Sequence, residues 1–156
     1  MNVKRILLGG LLAGVFINIG EGILNGVILM DEYQALMEQH GLAETSWAMA
    51  GYLVGGFLFG FVVAWLYAAI RPRFGGGWKT GARAAVPVWV VGCVVPTLWF
   101  GGVGLALGTG NTILVLVWAL VELVVAGVIA GWLYREGGVG AAATAARTEP
   151  GAPAPV

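Results

Sequence analysis

Residues 6–30 read ILLGGLLAGVFINIGEGILNGVILM. A helix that crosses the hydrocarbon core of a bilayer takes about 20 mostly apolar residues, and this run is long enough. Its one charge is Glu21, set between Asn18 and Asn25. The pattern recurs outward along the chain. Stretches at about 47–70, 84–106 and 112–134 are equally apolar. The breaks between them, DEYQALMEQHGLAETS, RPRFGGGWKTGAR and GTGN, are polar or turn-rich. Backbone groups in lipid must be satisfied within their own segment, and alternation of period two is absent, so the spans read as helices and not barrel strands. The expected fold is all-α: a polytopic membrane protein with four transmembrane helices in a small bundle over residues 1–136. Loop 31–46 is the outer loop and loop 71–83 the cytoplasmic one. The tail 137–156, GGVGAAATAARTEPGAPAPV, has little to bury and is expected to be disordered.

Composition agrees. Of 156 residues, 59% are hydrophobic and 10% charged, against roughly 25% charged in soluble domains. A 16.2 kDa globule cannot hide that much apolar surface. Net charge is zero, which leaves no electrostatic footprint for nucleic acid. The lone Cys93 excludes an intrachain disulfide and a multi-cysteine zinc site, and the lone His40 excludes a haem held by two histidines of this chain. No cofactor and no metal centre is expected.

All eight basic residues fall on one predicted side: Lys4, Arg5, Arg71, Arg73, Lys79, Arg83, Arg135 and Arg147. The loop 31–46 has none and carries Asp31, Glu32, Glu38 and Glu44. Basic residues accumulate on the cytoplasmic side, so the reading is a multi-pass protein of the cytoplasmic (inner) membrane with both termini inside. Trp47, Trp99 and Phe100 fall near the outer boundary, and Trp65, Tyr67, Trp78, Trp132 and Tyr134 near the inner one, as interfacial aromatics do. Lys4 and Arg5 before an apolar run imitate a signal peptide, but the run continues to Met30 without a convincing cleavage site, so an uncleaved first span is expected. In the outer loop, Tyr33, Leu36, Met37 and His40 follow the i, i+3, i+4, i+7 spacing of a short helix that Gly41 would end. Trp-Leu-Tyr occurs at 65–67 and again at 132–134. A duplicated hairpin would explain the echo, and shared interfacial aromatics explain it more simply.

The helix faces are informative, at 100° per residue. Gly10, Gly14, Asn18, Glu21, Gly22 and Asn25 share one third of the first span's circumference, which suits a face turned toward other helices. Gly56, Gly60, Ala64 and Ala68 recur every fourth residue on the second span. Such a stripe serves close helix packing, within the bundle or at a dimer seam. The third span contains Pro87 and Pro96; Pro96 cannot bond the Gly92 carbonyl, and Cys93 and Thr97 lie nearby. On the fourth span, Glu122 shares a small-residue face with Ala119, Ala126 and Ala130. Glu21 is three residues outward from the middle of its span, about 4–5 Å, and Glu122 is close to the middle of its own. Two carboxyls thus occur near mid-membrane, each on the face expected to look inward, with no Lys, Arg or His at that depth.

An ionised carboxylate in hydrocarbon costs about 2.5–3.5 kcal/mol on insertion scales. Three solutions remain. The groups are protonated, they share a cation or a proton, or another subunit supplies a base. Asn18 and Asn25 can donate hydrogen bonds to the carboxyls, and Thr97 adds a hydroxyl. The competing structural reading is a protonated Glu acting as helix glue, worth about 0.6 kcal/mol. Elsewhere the chemistry is thin. His40 with Glu38 and Glu44 reads as a solvated loop. Ser46 is the only serine, so a Ser/His/Asp triad is not available. FGGGWKTG at 74–81 lacks the spacing of a phosphate loop and follows no strand; a cytoplasmic turn with Lys79 and Arg83 near anionic lipid heads suffices.

Four short spans with a glutamate in the first look like the small multidrug resistance transporters, whose first-helix carboxyl exchanges protons for cationic drugs across a dimer. Only Glu21 carries over; the loops here are longer and Glu122 is additional. KRILLGGLLAG, NIGEGILNG and WLYAAIRPRFG, with WLYRE later, more closely resemble a group of uncharacterised bacterial four-helix integral membrane proteins. That likeness spans most of residues 1–136 and implies the fold but no activity. The expected function is binding or movement of a proton, a cation or a small amphipathic molecule, with Glu21 and Glu122 titrating and Asn18, Asn25 and Thr97 beside them. The alternative is a non-catalytic accessory or structural subunit packed into a larger complex through Gly56, Gly60 and Ala64. An enzyme ranks third, since no nucleophile or metal cluster accompanies the acids. Beyond the lipid bilayer, the expected partners are copies of itself or a larger membrane complex, because four helices enclose little volume.

Overall fold

The computed structural model describes residues 2–134, so the tail expected to be disordered lies outside them. The described chain is helical, without a strand. The first span is α1 (Val3–Ile23) continued by a π-helical turn, Leu24–Ile28. The outer-loop helix α2 is Met30–Gln39 and the second span α3 is Ala48–Phe74. The third span is α4 (Trp78–Trp89), a π turn over Val90–Val94, and α5 (Val95–Gly102). The fourth is α6 (Thr109–Leu133). Four helices are long and apolar enough to cross a membrane: Val3–Ile28, Ala48–Phe74, Trp78–Gly102 and Thr109–Leu133.

Local chemistry sets the ends. The Asn2 side chain accepts from the Arg5 N–H at 3.2 Å and starts α1 before the apolar run begins. Gly41, at φ 63°, ends α2; its N–H bonds the Glu38 carbonyl and that of Leu42 bonds the Met37 carbonyl, the paired bonds of a Schellman motif. Gly104, at φ 80°, ends α5 in the same way, with Leu105 N–H on Phe100 O. The loop expected over 71–83 contracts to glycines 75–77. Gly75 and Gly77 take φ of 79° and 119°, which lets the chain reverse in three residues. The Thr80 hydroxyl donates to the Gly75 carbonyl at 2.9 Å, and Gly77 N–H donates to the Tyr67 hydroxyl at 3.1 Å. Pro96 leaves its mark where expected: the ladder shifts to i→i−5, with Val95 N–H on Val90 O.

The spans run alternately up and down and close a ring α1–α3–α4–α6. Register is antiparallel: Gly14 of α1 lies against Phe57, and Gly10 against Phe61. Two glycine crossings bring backbones together. A Cβ on Gly60 would collide with the Gly14 and Gly10 backbone, and one on Gly81 would stand 2.6 Å from the Gly127 carbonyl oxygen. The interior is accordingly built of small residues, with Ala13, Ala68, Ala84, Ala85 and Ala126 all fully buried. Outward, Leu58, Val91, Leu98, Val117 and Val121 are exposed along the spans, an apolar shell that calls for lipid as solvent. Trp47, Trp65, Trp78, Trp99 and Trp132 are exposed near the ends. Tyr67 and Tyr134 are not part of that belt. Both are buried, stacked edge to face at 6.0 Å, because their hydroxyls have backbone partners indoors: Gly77 N–H for one and Asn2 N–H for the other.

Candidate functional site: an intramembrane carboxyl pair

Crossing α1 on α6 places Gly20 opposite Glu122. A Cβ on Gly20 would overlap the Glu122 carboxyl, so the glycine makes the space that the acid fills. The Glu122 and Glu21 side chains interact directly, and the Trp118 indole lies beside the Glu122 carboxyl. Asn25, one turn beyond Glu21, donates its side-chain N–H to the Glu21 carboxylate. Cys93, inside the π turn of the third span, packs against the apolar cluster that includes Ile17 and Leu123, the residue next to Glu122. Three of four spans therefore contribute, and π turns interrupt two of them beside the acids. Such turns concentrate at functional sites.

Glu122 is 5% exposed, and its buried Oε1 has no hydrogen-bond partner among the described residues. Relief by a base is not at hand. The described Lys and Arg residues stand at span ends: Lys4 and Arg5 begin α1, Arg71 and Arg73 end α3, and Lys79 and Arg83 occupy the start of α4.

Not every residue expected at the site joins it. Asn18 turns away: its amide donates to the Gly14 carbonyl at 2.9 Å and the Leu53 carbonyl at 3.3 Å, and it rests on Gly56. It ties α1 to α3. Thr97 donates to the Cys93 carbonyl at 2.7 Å, one turn outward from the acids, and lines a separate cavity with Tyr33 and Thr112. Gly22 has nothing within 4 Å of where a Cβ would stand; the face α1 buries is rotated from the polar stripe toward Gly9, Ala13, Ile17 and Leu24. Gly56, Gly60 and Ala64 are buried inside the bundle against α1 and its neighbours. His40 bonds its Nδ1 to the Leu36 carbonyl at 2.9 Å, and no cluster of metal-ligating side chains occurs among the described residues.

Gly20, Trp118, Tyr33 and Cys93 are the site residues that the polar stripe did not single out. Gly20 had a signal: with Gly9 and Ala13 it continues the small-residue arc that faces α6. Trp118 precedes Glu122 by one turn on the same face. Tyr33 comes from a loop helix whose docking no spacing rule fixes.

Comparison of the chain with protein-family models, curated proteins and solved structures finds no match.

Proposed function

We propose that Glu21 and Glu122 form one acid pair that binds and passes a proton or a small cation within the membrane, with Asn25 orienting Glu21 and Trp118 orienting Glu122. The observation that carries this reading is the buried, partnerless Oε1 of Glu122 beside a second carboxyl. Two carboxyls that touch in a medium of low dielectric repel when both are ionised. A proton or a cation held between them removes that repulsion and supplies the missing partner. Helix glue would hold one proton between the two carboxyls permanently, whereas the proposed site exchanges it.

The same reading places the protein in the cytoplasmic membrane with both ends inside, on the strength of the one-sided basic residues. Gly56, Gly60 and Ala64 are buried within the bundle, so an accessory subunit would meet a larger complex through another face.

Proteoliposomes with an internal pH dye and an imposed cation or pH gradient test the function. Wild-type protein is expected to carry a pH-dependent flux, which Glu21→Gln and Glu122→Gln each abolish while still inserting. A flux equal to that of empty vesicles, or one that survives both substitutions, contradicts the proposal.

A further inference from the structure

On the side of the carboxyl pair nearer α2, the bundle holds a cavity of about 160 Å³. Tyr33, Thr97 and Thr112 line it among apolar side chains, including Phe100 and Val115; the two threonine hydroxyls donate to the Cys93 and Leu107 carbonyls and retain lone pairs that can accept. At about 30 Å³ per water, such a space takes a few water molecules, and its hydroxyls supply the polar partners that water requires. Helix α2 roofs it through Tyr33 and Leu36.

The cavity approaches the acids along two spans. On α6, Val115 of its wall precedes by about one turn Trp118, whose indole lies beside the Glu122 carboxyl. On the third span, Thr97 of its wall donates to the carbonyl of Cys93, one turn deeper. The opposite direction is closed. Beyond the acids, Ile17, Val63, Ala85, Leu123 and Ala126 are buried at no more than 2% exposure and form one continuous apolar cluster. Past them the backbones of Gly81 and Gly127 nearly touch. The two sides differ in charge as well. Exposed Asp31 and Glu32 open α2, and clustered acidic charge raises the local concentration of cations.

We infer that the carboxyl pair exchanges its proton or cation with the compartment on the α2 side, through the cavity that α2 roofs, and that the Ile17–Val63–Leu123–Ala126 layer seals it from the other side. This rests on the reading of the pair as a proton or cation site and adds its direction of access. The groups that face the pair are Asn25 from the first span, Tyr33 from α2, Cys93 from the third span and Trp118 from α6, while Tyr52 of α3 stands near Tyr33. None of them is basic.

Cysteine accessibility tests it in intact vesicles of known orientation. Wild-type protein, whose single thiol at Cys93 does not line the cavity, provides the background. Val115→Cys and Ala106→Cys, on the cavity wall, are expected to react with a small charged, membrane-impermeant thiosulfonate from the α2 side and not from the other. Ala126→Cys, in the sealed layer, is expected to react from neither. Modifying Val115→Cys from the α2 side is further expected to abolish the flux. Reaction of Val115→Cys from the opposite side, its failure to react at all, or reaction of Ala126→Cys overturns the inference. So does a flux that persists after complete modification of Val115→Cys. If the unmodified protein carries no flux, the underlying function falls as well; if flux is present and modification leaves it intact, only the access path falls.

Discussion

Glu122 brings a carboxyl into a site shaped for it. Gly20 supplies the volume, Trp118 lies alongside, and Glu21 faces it. The side chain at position 20 is therefore decisive. Gly20→Val is expected to displace the Glu122 carboxyl and reduce flux as severely as Glu122→Gln, although it removes no charge; unchanged flux in that variant would show that the acid does not need this position. Tyr33 gives a second prediction, outside the spans. Its phenol is pushed above the ordinary 10.0 by burial, and further by the Glu21 carboxylate and by Tyr52. The folded protein thus favours the neutral phenol more than the unfolded chain does. That preference contributes fully below pH 10.0 and is lost as pH rises through the folded value. Ultraviolet titration is expected to show one late-ionising tyrosine that disappears in Tyr33→Phe. Melting temperature should fall less steeply with alkaline pH in that variant than in wild type. The two carboxylates could be read from the sequence because an acid in an apolar run has few explanations. Their helpers could not, since Gly20 and Cys93 are unremarkable until a neighbouring helix is placed against them.

Among the elements, the first and second spans were legible in type and nearly in extent, because 3.6-residue periodicity and hydropathy both survive in lipid. What sequence could not fix is rotation. A polar stripe and a buried stripe are different things when a helix has two neighbours. In α1 the buried arc is centred on Ala13 and Ile17, which leaves Gly22 outside and lets Asn18 reach α3. The glycine stripe of α3 permits a clean contrast. Gly60→Leu must push a side chain into the Gly10–Gly14 backbone, and overpacking of this kind costs about 1–3 kcal/mol or more. Gly22→Leu meets open space. Thermal unfolding in detergent is expected to show a large loss for the first and little change for the second. Equal losses would mean that the α1–α3 crossing is not as close as described. The contracted turn at 75–77 escaped the sequence for a local reason: Pro72 and three glycines signal a loop, yet Pro72 fits within the last turns of α3 and two glycines complete the reversal alone.

Seen whole, the molecule is polarised along its axis. One end gathers Lys4, Arg5, Arg71, Arg73, Lys79 and Arg83 around a tight turn and a buried tyrosine pair. The other end carries α2, its acids and a small hydroxyl-lined cavity. Under the proposed orientation, the first of these ends is cytoplasmic. A reporter that is active only outside the cytoplasm is expected to be silent when fused after residue 134 and active when inserted between Gly41 and Ser46; the reverse pattern would invert the molecule and the sense of any flux. Charge asymmetry was fully legible from the sequence. The one-sided cavity was not, because it depends on where Tyr33 and Leu36 of α2 come to stand beside α5 and α6.

The central claim is that Glu21 and Glu122 act as a single binding unit, and infrared difference spectroscopy of the protein in lipid addresses it most directly. Carboxyl bands are followed as pH is stepped and a monovalent cation is added. If the acids share one proton or cation, the wild-type difference bands vanish in Glu21→Gln and again in Glu122→Gln, since either change dissolves the unit. If each variant keeps its own share of the bands and the two shares add up to the wild-type signal, the acids titrate independently and the account is contradicted.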